Sequence, residues 1–186
     1  MMARTKIAIH LDGSLCVFLA FMFLLLPLCW VLAFVLAVAV HELCHAIAIL
    51  AMEGRIYALW LGAGGIRMET DPLPPGQEII AALAGPLGSA LLLLVSRWMP
   101  RVAICGAVHC LYNLLPLFPM DGGRILQNTL ALCLPVPLGR KAFHAFQRIL
   151  RPILGAMCLL AVFRWGILPA VVGFLLMWRN RAERTV

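Results

Sequence analysis

The sequence predicts an all-α polytopic membrane protein of about six transmembrane helices with a small membrane-associated β-hairpin. Three observations carry that expectation. Hydrophobic residues make up 63% of the chain and charged residues only 12%, where a soluble domain carries about 25% charged. No charged residue occurs from Leu15 to Val40. A stretch at 53–77 then breaks the apolar pattern with Gly, Pro and charge, at a period nearer two than 3.6.

The apolar run from Leu15 to Ala51 is too long for one bilayer crossing of about 20 residues and fits two. A turn near Pro27–Trp30 divides it into span one, Leu11–Leu26, and span two, Val31–Met52. The segment "EGRIYALWLGAGGIRMETDPLPPGQ" reads as a strand or hairpin. Span three is expected over Glu78–Trp98 and span four over Val102–Leu115, which runs into "NLLPLFPMDGGRI", where Pro116, Pro119 and Gly122-Gly123 break the helix. Residues 119–148 read as a polar connection with a short amphipathic piece. Two short apolar runs follow, Pro152–Phe163 and Ile167–Trp178. The whole of 1–186 is expected to be a single membrane-embedded domain, with a core at 6–130 and a loop and two helices at 131–186.

The formal charge of +7 is scattered between apolar runs, so Lys and Arg read as membrane-flanking anchors and a nucleic-acid partner is not expected. With six spans and both termini cytoplasmic, 12 of the 15 Lys and Arg fall on the inner side, counted over the chain. The seven cysteines include no C-x-x-C pair and read as small helix-packing residues. The first apolar run outlasts a signal-peptide core, so a cleaved leader is not expected.

His41-Glu42-Leu43-Cys44-His45 is H-E-x-x-H inside span two. Residues i and i+4 share a helix face, so both imidazoles can reach one Zn²⁺, with Glu42 about 100° round, beside the ion. Ionisable residues inside a membrane helix are costly and mostly functional. Two neutral imidazoles, one further carboxylate and an ionised Glu42 would neutralise the cation, which makes their burial tolerable. A tetrahedral site with an open position needs a third protein ligand. Asp12, Glu53, Glu69, Asp71, Glu78, His109 and His144 are candidates, and Asp121 is the best placed, in a Pro- and Gly-shaped break that can turn a carboxylate back into the bundle.

"HELCH" on span two, "AGPLGS" on span three and "NLLPLFPMDGG" on span four together resemble the site-2 protease family of intramembrane zinc metalloproteases. The likeness looks closest to small bacterial members related to the sporulation sigma-factor-processing protease. It covers about residues 6–130, and "KIAIHLDGS" and "LGAGGIR" look like the family's N-terminal strand and hairpin. The resemblance implies one Zn²⁺ held by His41, His45 and Asp121, with Glu42 as the acid–base group and Asn113 on the substrate or transition state. It implies a bacterial cell-membrane location, a membrane-embedded or membrane-adjacent protein substrate, and room for a regulatory membrane partner. Gly64, Gly65 and Ile66 of the hairpin are candidate substrate-binding residues, because a strand edge can hold a peptide extended. Ser89 departs from the Asn that many relatives carry after "GPL". The alternative reading is a non-enzymatic pseudoprotease or metal-binding scaffold for partner helices. An intact Glu42, which metal binding alone would not need, argues against it.

Overall fold

The computed structural model describes residues 7–165. The chain divides into two compact units, residues 1–114 and 115–186.

The first unit opens with strand β1, Ala8–Leu11, followed by helix α1, Gly13–Leu25. Asp12 caps α1, its Oδ1 accepting from the Ser14 amide at 2.9 Å. Leu26 is extended (φ −125°, ψ 143°), as a residue before proline prefers, and Pro27 then starts helix α2, Leu28–Ala51. The predicted division at Pro27 therefore holds. Twenty-four residues at ~1.5 Å each span about 36 Å, enough for a hydrocarbon core of ~30 Å. After α2, Glu53 takes a left-handed conformation (φ 62°). The Gly54 amide donates to Ile49 O at 2.9 Å and the Glu53 amide to Leu50 O at 3.1 Å, closing the helix in a Schellman arrangement.

Strands β2, Ile56–Gly62, and β3, Gly65–Thr70, form the expected hairpin. They pair antiparallel, with Gly62 opposite Gly65 and Leu61 opposite Ile66. Gly65 supplies the positive φ (108°) that the tight turn needs. The hairpin belongs to a three-stranded sheet: β1 lies parallel to β2, from Ala8 opposite Ala58 to Leu11 opposite Leu61. The pair α1–α2 is the long crossover that a parallel pairing requires. Ile49, Ile56 and Ala81 form a buried cluster under the sheet, with Leu59 and Met68 packed on it.

Helix α3, Pro75–Leu91, ends in a 3-10 turn, Leu92–Val95. It starts three residues earlier than predicted because Pro75 occupies the first helical turn, where its missing N–H is no loss. Helix α4, Pro100–Asn113, starts on a proline in the same way.

The second unit departs further from expectation. Residues 119–148 are no polar connection: helix α5 spans Asp121–Cys133 and helix α6 spans Val136–Trp165. Gly122 and Gly123, read as breakers, lie in the first turn of α5. A Cβ on Gly123 would sit 2.4 Å from the backbone of Leu117 and Phe118, so glycine there permits close approach of the preceding segment. The run Pro152–Phe163 is no separate element; α6 continues through Pro152. The buried amide of Gln147 fastens residues 116–118, donating from Nε2 to Pro116 O at 2.8 Å and accepting the Phe118 N–H at 3.3 Å. The predicted span Ile167–Trp178 lies outside the described residues.

Among the described residues, two helical stretches are long and apolar enough to cross a bilayer, Leu28–Ala51 and Pro75–Val95. In these stretches only 28% and 33% of the most apolar window is buried. Helices apolar on every side yet mostly uncovered suit lipid rather than water. The fold is mostly helical, as predicted, with six α-helices among the described residues, and its small sheet has one strand more than the hairpin.

Candidate metal centre

The site grows from two helices that can approach closely. On α3, Ala81, Gly85 and Ser89 follow one another at i, i+4 and i+8, and all are buried. This small-residue face lies against His41 and His45 of α2. A Cβ on Gly85 would fall 2.2 Å from His45 Nε2 and 2.8 Å from His41 Nε2. A Cβ on Gly88 would fall 2.2 Å from Cys44 Sγ, so Cys44 is the packing thiol the sequence suggested.

His41 and His45 are 2% and 6% exposed, and both are oriented from behind. His45 Nδ1 lies 2.7 Å from the Ala81 carbonyl. A carbonyl only accepts, so Nδ1 carries the proton and Nε2 presents a lone pair. His41 Nδ1 lies 2.9 Å from Ser89 Oγ. The two Nε2 atoms stand 3.1 Å apart, close to the ~3.3 Å separation of two nitrogens on one tetrahedral Zn²⁺ with bonds of ~2.0–2.1 Å. Metal-ligating imidazoles commonly have the other nitrogen fixed in this way. Serine at 89 does what a longer amide could do there: it reaches the imidazole.

Asp121 is the first residue of α5 and is 5% exposed. A carboxylate at a helix N-terminus is favoured by the backbone dipoles, and Arg124 Nη1 lies 3.4 Å from its Oδ1. Asp121 of the second unit is buried, as are the two imidazoles of the first. Two nitrogen donors and one oxygen donor form the set that a catalytic Zn²⁺ with an open position uses. The residues present therefore fit a zinc ion.

Several other sequence candidates serve different ends. Asp12 caps α1, Asp71 accepts from the Tyr57 hydroxyl at 2.6 Å, and Glu69 lies 3.4 Å from Trp60 Nε1. His10, which is not among those candidates, stacks on Trp60 with ring centroids 4.0 Å apart. His144 is exposed on α6. His109 stands edge-on to His41 at 4.5 Å. Glu42 is half-buried on α2 next to the two imidazoles in sequence. Asn113 ends α4, 6% exposed, with its Nδ2 donating to His109 O at 3.0 Å. Gly64, Gly65 and Ile66 lie at the hairpin turn and the start of β3, which among the described residues has a neighbouring strand on one side only.

No protein-family model matches the chain. It is 33% identical over 120 residues to a zinc metalloprotease of Methanocaldococcus jannaschii, covering 55% of this chain and 35% of the relative. It is 31% identical over 121 residues to a protein of Synechocystis named as a candidate zinc metalloprotease, covering 53% and 32%. The chain thus spans about a third of the length of these curated relatives. Among solved structures, the Site-2 Protease from Methanocaldococcus jannaschii superposes with a TM-score of 0.70 over 96% of this chain and 91% of that one, at 22% identity. The fold is that of a site-2 protease.

The resemblance read from the motifs is borne out in the site-2 protease fold, and both sequence relatives are named for zinc metalloprotease activity. Sequence reasoning missed Ser89, the Ala81 carbonyl and Gly85 as supports of the two imidazoles. One signal pointed to them. Positions 81, 85 and 89 put small residues at one helical spacing inside an apolar span, the pattern by which membrane helices come close.

Proposed function

We propose that the chain is an intramembrane zinc metalloendopeptidase that hydrolyses peptide bonds of membrane-embedded or membrane-adjacent proteins. The observation that carries this reading is the pair of imidazole Nε2 atoms 3.1 Å apart, each fixed through its Nδ1. When bound, Zn²⁺ supplies a Lewis acid that makes water nucleophilic at neutral pH and polarises the scissile carbonyl. His41, His45 and Asp121 hold it. Glu42 takes the proton from the attacking water and delivers it to the leaving amine. Asn113 holds the substrate backbone near the reacting carbonyl. A substrate helix hides its carbonyls in its own hydrogen bonds and must be unwound locally. The hairpin turn and the open edge of β3, from Gly64 to Ile66, receive it as an added strand.

The same reading has the chain multi-pass in a bacterial cell membrane, with both termini cytoplasmic, related to the small sporulation-type members, and open to regulation by a membrane partner. Its support is the Lys and Arg asymmetry and the motif spacing.

The test is Glu42→Gln in the full chain. The variant should keep its zinc and lose cleavage, so that membranes carrying it accumulate uncut substrates in a peptidomic comparison with the wild type. Identical peptide profiles and intact cellular function would favour the scaffold reading.

A further inference from the structure

The first half of α6 has two unlike faces. Gly139, Phe143 and Gln147, spaced at i, i+4 and i+8, are buried. On the other side Arg140, Lys141, His144 and Arg148 line one shallow pocket with Pro137 and Ala145. All four basic side chains are exposed. Among the described residues, no ion pair engages Arg140, Lys141 or Arg148. The sequence supplies no nearby counter-charge, since no Asp or Glu occurs between Asp121 and Glu183.

We infer that this pocket binds the phosphates of anionic phospholipid headgroups. The apolar side chains beside it decide for lipid over an acidic peptide. Phe146, Ile149 and Ile153 are 41%, 64% and 48% exposed, and they lead directly into the apolar second half of α6. A helix that sets basic side chains beside uncovered aromatic and aliphatic ones suits the boundary between headgroups and acyl chains. Arg fits phosphate through its planar fork, and Lys adds a point charge. The pocket shares none of its lining residues with the zinc ligands, so the inference is independent of the proteolytic reading. It rests only on the chain being membrane-embedded.

The experiment uses the full chain reconstituted in nanodiscs of phosphatidylcholine alone or mixed with phosphatidylglycerol, with retained lipids counted by native mass spectrometry. Failure to enter nanodiscs would refute the membrane premise and the inference with it. The wild type should retain phosphatidylglycerol in preference to phosphatidylcholine. Each basic side chain near an anionic surface contributes about fivefold, so Arg140→Gln/Lys141→Gln/Arg148→Gln should lower that preference by roughly 100-fold. Its zinc content should not change. Arg140→Lys/Arg148→Lys keeps the charge and should keep most of the preference. If the triple variant fails to fold, the single variants Arg140→Gln and Arg148→Gln decide, with about fivefold each expected. Equal retention of both lipids by the wild type would overturn the inference. So would an unchanged preference in the neutralised variants, or displacement of the lipid by inorganic phosphate or a poly-glutamate peptide at matched ionic strength.

Discussion

Replacing Gly85 by alanine tests the metal centre at its tightest point. The added Cβ would lie 2.2 Å from His45 Nε2, where ordinary contact begins near 3.4 Å. Something must therefore move by about 1.2 Å, and the imidazole cannot do so freely. Turning His45 away breaks its bond to the Ala81 carbonyl, a loss of ~1 kcal/mol. Moving α3 off α2 instead loosens the packed face and costs ~1–3 kcal/mol. Either way Nε2 leaves the position from which it would share an ion with His41, because metal–ligand distances tolerate only about 0.2 Å. Losing the support of a ligand commonly costs 10- to 100-fold in metal affinity, and a displaced ligand should reach at least the upper end, about 2.7 kcal/mol. Zinc affinity is measured by competition with a chelator in detergent, beside Gly76→Ala, whose Cβ would meet nothing within 4 Å. A folded Gly85→Ala protein with wild-type zinc affinity would refute the reasoning.

The other expectations are more local. Asp121→Ala should weaken zinc by on the order of 100-fold, and full zinc occupancy with Asp121 and His45 both replaced would sink the ligand assignment. Ile66→Pro removes a main-chain donor from β3 and should lower cleavage with bound zinc unchanged; unaltered cleavage by the zinc-loaded protein would exclude the strand as a docking edge. Glu53→Gly relieves a left-handed residue (φ 62°) and should raise thermal stability by about 0.5–1 kcal/mol, read from the melting midpoint. The Tyr57 hydroxyl donates to the Asp71 carboxylate, which raises its pKa above the ordinary tyrosine value. The stability this bond adds is present below the ordinary tyrosine range and lost as pH rises through the raised pKa. Asp71→Asn should bring the phenol's absorbance titration to lower pH, and an unmoved titration would contradict the pairing.

Much of this was legible in the sequence because the strongest signals are local. Pro27 divides α1 from α2 whatever surrounds it, since it fixes its own φ and its predecessor's conformation. His41 and His45 share a face through helical geometry alone. Asp121 was legible as a candidate, but its setting was misread. Gly122-Gly123 and the prolines around them look like loop chemistry, and only the close approach of residues 117–118 to Gly123 explains glycine in a helical turn. The same weakness hid α6, where Pro152 reads as a boundary from sequence and is absorbed within a long helix. The supports of the imidazoles were harder still. A backbone carbonyl at Ala81 leaves no trace in the residue type, and Ser89 gains its role only when α3 lies against α2. The pairing of β1 with β2 joins residues 8–11 to 58–61, a distance over which no short-range pattern operates.

That pairing has a consequence for insertion into the bilayer. Strands joined edge to edge must lie on the same side of the membrane, so the chain between Leu11 and Ile56 makes an even number of crossings. If α2 crosses the bilayer, a second crossing must fall in the same interval, where the other helix is the 13-residue α1. The sheet thus acts as a parity check on the topology of the first half of the chain. A single added or deleted span there would strand β1 on the opposite face, where its backbone could no longer find β2.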